Sequence, residues 1–224
     1  FYKNLFLPGT KLNFGQNLLS KNNDEKAITF VSENGFREER SWKELNLNTA
    51  GIIQFLKQIK IVKGDRVAAY MPNCIETVEA FLGTVSIGGI WSSCSPDFGV
   101  NGVIERFSQI KPKVLFITDQ YFYNGKRINI IERLSKILKL IPSIKNVIVV
   151  NYPGYNFIKN KIKFKKQKLF KWTNCINKNP QEIKFKMHDF EDELAILYSS
   201  GTTGKPKCIC HRTGGVLIQH KKEH

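Results

Sequence analysis

The chain has 224 residues, of which 42% are hydrophobic and 24% charged, with a net charge of +16. That balance is too apolar for a disordered chain, and no apolar run reaches the roughly 18 residues needed to cross a membrane, so membrane insertion is not expected. Five scattered cysteines exclude a disulfide framework and fit a reducing, cytoplasmic setting.

In chain order, a hairpin is expected first: Ala27–Val31, a turn at Asn34-Gly35, then Phe36–Arg40. Ser41 and Glu44 form a capping box for a helix whose apolar face is Trp42, Leu45, Thr49, Ile52, Ile53, Leu56 and Ile59. Arg66–Met71 reads as an apolar strand stopped by Pro72. Asn73 and Glu76 then cap a helix near Cys74–Ile87. A strand at Ile90–Ser92, a helix at Val100–Gln109 and a strand at Lys113–Thr118 follow. Ile128–Leu140 is expected to be helical, with Ile131, Leu134, Ile137 and Leu138 inward, and Asn146–Val150 to be a strand. This alternation predicts an α/β fold, a mostly parallel sheet flanked by helices.

Residues 152–188 read as an irregular, lysine-rich insertion. Tyr155 to His188 holds ten Lys against one Glu, a net +9, so over half the excess charge sits in one segment. Lys161, Lys163 and Lys165 alternate with Ile162 and Phe164, the period of an exposed strand guarding a sheet edge. Alternatively, Phe164, Phe170 and Trp172 stack on bases between basic residues. No nucleic-acid signature accompanies them, so no nucleic-acid partner is expected. Cys208, Cys210 and His211 raise a metal site, but zinc needs four ligands and no second pair stands at suitable spacing. Buried thiols on one strand face are expected instead, and no metal ligands.

After a strand at Leu194–Tyr198 comes YSSGTTGKPK, residues 198–207. Ser199, Ser200, Thr202 and Thr203 supply hydroxyl donors for phosphate oxygens. Gly201 and Gly204 let backbone N–H groups approach an anion, and Lys205 and Lys207 add positive charge. The spacing is not that of a Walker A loop: two residues, not four, separate Gly201 from the Gly204-Lys205 pair. The bland alternative is a polar turn between strands.

Ile196–Lys207 resembles the AMP-binding signature of the adenylate-forming superfamily, which includes acyl-CoA synthetases, luciferases and peptide-synthetase adenylation domains. The resemblance implies that the loop grips the outer phosphates of ATP while a carboxylate attacks the α-phosphate. An acyl-adenylate and pyrophosphate result, and an acyl-CoA ligase then passes the acyl group to the CoA thiol. ATP, Mg2+ and CoA are thus implied, with small-molecule substrates as the partners.

Gly64-Asp65-Arg66-Val67 with Met71-Pro72-Asn73 and Glu76 resembles the superfamily's first strand and helix. WSSCSPDFG at 91–99, followed by Arg106-Phe107, Gln109 and Pro112-Lys113, resembles the acetoacetyl-CoA synthetases. So do Asn124-Gly125-Lys126 after Asp119, and the ending Gly214-Gly215, Gln219-His220 and Lys222-Glu223-His224. Phe6-Leu7-Pro8-Gly9, Leu12-Asn13-Phe14 and Asn17-Leu18-Leu19 are shared with acetyl-CoA synthetases too. In those enzymes basic residues approach the CoA 3′-phosphate from the region matching 119–127. Here Phe122 stands where one arginine is expected, leaving Lys126 and Arg127 as CoA candidates, against a plain solvated helix start. Cys208 replaces a glycine common in relatives. Trp91, Ser92, Ser93, Asp97 and Phe98 either face substrate or pack their loop.

The resemblance makes residues 1–224 a partial AMP-binding domain, with 1–40 as a lead-in and hairpin. The first residue is Phe1, not Met, and the last residues fall within an expected helix. The expectation is therefore a fragment without the C-terminal lid domain, with the catalytic lysine and the adenine and ribose contacts beyond residue 224. Acetyl- or propionyl-CoA synthesis and a basic RNA- or membrane-surface module remain the alternative readings.

Overall fold

The structure is a computed structural model, and it describes residues 6–155, 166–176, 180–199 and 204–223. After a short strand β1 (Lys11–Leu12) and helix α1 (Phe14–Leu18), strands β2 (Lys26–Val31) and β3 (Arg37–Ser41) form the expected hairpin. Gly35 takes φ +81 at its turn, a conformation that favours glycine. The capping box opens α2 (Trp42–Gln58): Ser41 Oγ accepts from Glu44 N at 3.2 Å, and Glu44 Oε2 accepts from Ser41 N at 2.8 Å. Two orphan helix donors are satisfied reciprocally.

Strand β4 (Arg66–Tyr70), helix α3 (Ile75–Ser86), strand β5 (Ile90–Cys94), helix α4 (Val100–Ile110) and strand β6 (Val114–Thr118) follow as expected. The start of α3 differs in one respect: its N-cap is Cys74, with no side-chain cap bond. The turn closes instead on the Pro72 carbonyl, which accepts from Cys74 N at 2.9 Å and from Thr77 Oγ1 at 2.7 Å. Asn73 is therefore not the cap, and Glu76 is buried rather than reaching back.

The helix expected over 128–140 is also corrected. Strands β7 (Gln120–Tyr123) and β8 (Lys126–Asn129) form an antiparallel hairpin, and helix α5 spans only Leu134–Leu140 after a 3-10 turn at Ile131–Arg133. Asn124 and Gly125 have φ +49 and +70, the pair of positive angles that a tight two-residue hairpin turn needs. Ile131, Leu134, Ile137 and Leu138 are buried as expected.

The remaining elements are β9 (Asn146–Val150), β10 (Lys168–Lys171), α6 (Trp172–Cys175), β11 (His188–Asp189), β12 (Glu193–Ser199), β13 (Lys207–Arg212) and α7 (Thr213–Glu223). Segment 152–188 is thus not irregular throughout its described part, since β10 joins the main sheet beside β9. Phe170 packs edge-on against Phe55 at 4.9 Å, and Trp172 is buried against Phe116. Trp172 is thus part of the core, while Phe170 is half-buried at the sheet edge. Lys161, Ile162, Lys163, Phe164 and Lys165 lie outside the described residues.

Seven strands run in the order β10-β9-β6-β4-β5-β12-β13, all parallel to their neighbours except the last pair. β6 and β9 are buried along their whole length, as strands of a parallel sheet covered on both faces must be. The crossover from β4 to β5 steps one way, and that from β5 to β6 steps back past β4. Right-handed connections therefore put α3 and α4 on opposite faces. Trp91 of β5 and Phe116 of β6 meet at 6.3 Å across β4, where Ala69 leaves room between them. At the carboxyl ends of β4 and β6 the outgoing connections diverge, which is where open α/β sheets offer a crevice.

Candidate functional site

The loop after β5, residues 95–99, crosses the carboxyl end of β4 and is fixed from three sides. Tyr70, the last residue of β4, donates its hydroxyl to Phe98 O at 2.6 Å and lies 3.1 Å from Pro96 O. Arg133 donates to the Tyr70 hydroxyl at 2.6 Å and to Pro96 O at 2.9 Å. Tyr121 of the β7–β8 hairpin donates to Asp97 Oδ1 at 2.9 Å. Burial pushes the Tyr70 hydroxyl up and Arg133 pulls it part of the way back. Burial, with Asp97 adding to it, pushes Tyr121 up to about 12. Both phenols stay protonated at neutral pH and act as donors that hold the loop, not as acids or bases.

Ser199, Gly204, Lys205 and Lys207 are described; Ser200, Gly201, Thr202 and Thr203 lie outside the described residues. Ser199 and Lys207 are register partners across β12 and β13, so residues 200–206 bridge two antiparallel strands. A Walker A loop joins a strand to a helix, so the topology separates the two as the spacing did. Gly204 has φ +146, and a Cβ built there would meet nothing within 4 Å among the described residues. Lys205 and Lys207 are exposed.

Strand β12 touches its parallel neighbour β5 through one registered pair, Ala195 with Trp91. A side chain extends this junction: Ser92 Oγ bonds Ile196 O at 2.8 Å and the Tyr198 hydroxyl at 3.0 Å. Such a bond contributes about 1 kcal/mol net. Burial raises the Tyr198 hydroxyl well above its ordinary value. On the same side, the Arg106 guanidinium lies 4.0 Å from the Phe98 ring and 5.7 Å from the Tyr198 ring. Of the residues left open in the sequence, Ser92 and Asp97 thus bond within the protein, Phe98 lies under Arg106, and Trp91 is core.

Alternation along the hairpin puts Ser199, Lys207, Leu197, Ile209 and His211 on the opposite face. That face borders a groove of about 680 Å³ between α3 and α7, lined by Phe81, Trp91, Ser93, Leu197 and Gln219 among others. Cys208 and Cys210 share the Tyr198 face but are exposed, which corrects their reading as buried thiols. They sit on the outermost strand of the sheet, where no described element covers them. Among the described residues no group of three His, Cys, Asp or Glu could hold a metal, and no helix is long and apolar enough to cross a membrane.

Lys126 and Arg127 stand on β8 rather than at a helix start, and both are exposed. Arg127 donates to the Gln120 side chain and lies 5.4 Å from the Tyr155 ring. Phe122, in the place of the expected arginine, stacks on the same ring at 6.1 Å. Because Tyr121 bonds Asp97, the hairpin carrying both CoA candidates is tied to the 95–99 loop. Sequence reasoning missed Tyr70, Tyr121 and Arg133 as loop anchors; their only signal was a polar-tipped residue beside an apolar run.

A model of the AMP-binding enzyme family matches residues 16–223. Acetoacetyl-CoA synthetase of Xenopus tropicalis is 40% identical over 224 residues, covering 96% of this chain and 33% of the relative. Acetoacetyl-coenzyme A synthetase of Rhizobium meliloti is 40% identical over 219 residues, covering 98% and 33%. A malonamoyl-CoA synthetase of Penicillium aethiopicum is 35% identical, covering 96% and 31%. The solved acetoacetyl-CoA synthetase of Streptomyces lividans superposes with a TM-score of 0.88 at 32% identity, over 98% of this chain and 33% of that one. The chain spans about a third of the length of the relatives it matches.

Proposed function

The chain belongs to the AMP-binding enzyme family, and from that premise we propose that the protein carrying it ligates acetoacetate to CoA at the expense of ATP. The reaction runs through an acyl-adenylate: the acetoacetate carboxylate attacks the α-phosphorus, pyrophosphate leaves, and the CoA thiol displaces AMP. The observation that carries this reading is the loop between Ser199 and Lys207, set at the carboxyl edge of the sheet in a chain whose relatives include acetoacetyl-CoA synthetases.

The donor set fits a polyphosphate. Ser199, Ser200, Thr202 and Thr203 bring hydroxyls, Gly201 and Gly204 bring accessible backbone, and Lys205 and Lys207 bring two ammonium groups. Gly204, with φ +146, takes a backbone conformation that favours glycine and lets its N–H face an anion. Mg2+ would enter as an ion carried on the nucleotide, with its bound water held by the loop hydroxyls. Bound there, it would neutralise charge that develops on the leaving pyrophosphate. The chain's own part is positioning: the loop holds the outer phosphates, and the 95–99 loop, bonded to Tyr70, Tyr121 and Arg133, supports the neighbouring carboxyl end of the sheet. Lys126 and Arg127 are assigned to the CoA 3′-phosphate. A cytoplasmic site of action fits five free thiols in this sequence.

Pyrophosphate exchange in the full-length protein tests the assignment. Thr203→Ala or Lys207→Ala removes one donor to the transferring group and is expected to lower exchange by about 10²- to 10³-fold. Exchange at the wild-type rate in both variants would remove the loop from the reaction.

A further inference from the structure

Helix α4 presents three residues toward the two loops of the site: Gly102, Arg106 and Gln109 recur at helical spacing. The Gln109 amide donates to Glu105 O on its own helix at 2.8 Å and to Pro206 O, 97 residues away, at 3.0 Å. Both partners are carbonyls, so only the –NH2 end of the amide satisfies them, and both of its hydrogens are used. Pro206 is the last residue of the loop before β13, and it is buried. One turn earlier, Arg106 is held by Gly102 O at 2.9 Å, with its guanidinium over Phe98 and near Tyr198. A Cβ at Gly102 would stand 3.4 Å from both Arg106 Nη1 and Phe98 Cδ1, so both groups pack close to this turn of the helix. A single helix thus touches the loop after β5, the strand that leads into the phosphate loop, and that loop's exit.

We propose that α4 is a latch, with Gln109 and Arg106 acting as positioning residues that fix the exit of the phosphate loop against the 95–99 loop before ATP arrives. This rests on the ATP reading of the loop given above and adds to it which residues pre-form the site. The physical reason is one of population. Apparent affinity falls with the fraction of molecules whose binding groups are competently arranged, so a contact that fixes the described exit of the loop raises it. Fixing the Pro206 carbonyl removes freedom from the hinge that carries Lys205 and Lys207. Lys205 and Lys207, on either side of Pro206, are then presented in a fixed arrangement. Gln109 touches no substrate in this scheme; it acts through Pro206.

The test is Gln109→Met in the full-length protein, assayed by pyrophosphate exchange with ATP and acetoacetate varied separately. Methionine keeps the length of the side chain and helix propensity but cannot donate. Gln109 is exposed, so the fold is expected to survive, with Tm unchanged. The latch predicts that KM for ATP rises by about three- to tenfold, the worth of one hydrogen bond, while KM for acetoacetate holds. Arg106→Leu is expected to raise the same constant, and amide exchange at Lys207 and Cys208 to quicken in either variant. An unchanged ATP KM with unchanged amide exchange overturns the latch. So does a loss spread evenly over all constants together with a lowered Tm, the mark of a merely structural contact. Wild-type protein without ATP-dependent exchange would overturn the ATP reading itself. Active wild type, a dead Thr203→Ala and an unaffected Gln109→Met would sink the latch alone.

Discussion

Glu79 gives the fold a pH dependence that one substitution isolates. Its side chain is fully buried on α3. One oxygen, Oε1, accepts from Asn48 Nδ2 at 2.8 Å and from Arg40 Nε at 3.2 Å, while Oε2 has no partner among the described residues. Burial pushes its carboxyl from the ordinary 4.5 up to about 7; Glu76 adds to that, while Asn48 and Arg40 oppose it. The unfolded chain therefore releases this proton near pH 4.5 and the folded chain near pH 7. Between those values the native state binds more protons, so stability falls as pH rises. At 1.36 kcal/mol per pH unit the full span amounts to about 3 kcal/mol. Glu79→Gln keeps the acceptor for Asn48 and Arg40 but cannot ionise. Urea unfolding at pH 4.5, 6 and 8 is expected to show the variant gaining on the wild type by about 3 kcal/mol across that range. Any pH-independent cost of placing an amide –NH2 at the Oε2 position cancels in this difference. Parallel pH profiles for the two proteins would show that Glu79 is not the source of the pH dependence.

Gly88 has φ +76, and a Cβ there would stand 2.6 Å from Cε1 of the buried His188. Gly88→Ala is therefore expected to cost about 2–4 kcal/mol in urea unfolding, from overpacking and a left-handed alanine together; a change below about 0.5 kcal/mol, the range of neutral surface substitutions, would contradict it. Binding of RNA through residues 155–188 is expected to be weak, indifferent to sequence and steeply lost with salt, as counterion release requires. Filter binding at physiological salt that finds a tight, sequence-defined complex would reverse that expectation.

The parts of the fold readable in the sequence are those whose cause is local. The capping box of Ser41 and Glu44 and the turn at Asn34-Gly35 lie within a few residues of the bonds they make. Strands β4, β6 and β9 announce themselves as apolar runs because a parallel sheet buries both faces. Asn124-Gly125 carries the same turn chemistry as Asn34-Gly35, yet Ile128, Ile131 and Leu134 sit at a spacing that imitates a helix. Strand β10 hides among lysines because only Phe170 of its four residues packs inward. Exposure of Cys208 and Cys210 depends on what flanks the last strand, which no local pattern encodes. The site divides the same way. The phosphate-loop residues stand in one run of ten, whereas Gln109 meets Pro206 across 97 positions and Tyr70 meets Phe98 across 28.

Acid selectivity in the adenylation step decides whether acetoacetate is the substrate. The full-length protein, supplied with ATP, Mg2+ and pyrophosphate, should exchange label faster with acetoacetate than with acetate, propionate or malonamate, and on adding CoA should yield acetoacetyl-CoA. Preference for any of the other three acids would contradict the substrate assignment, and absence of acid-dependent exchange with all four would contradict the ligase reading as a whole.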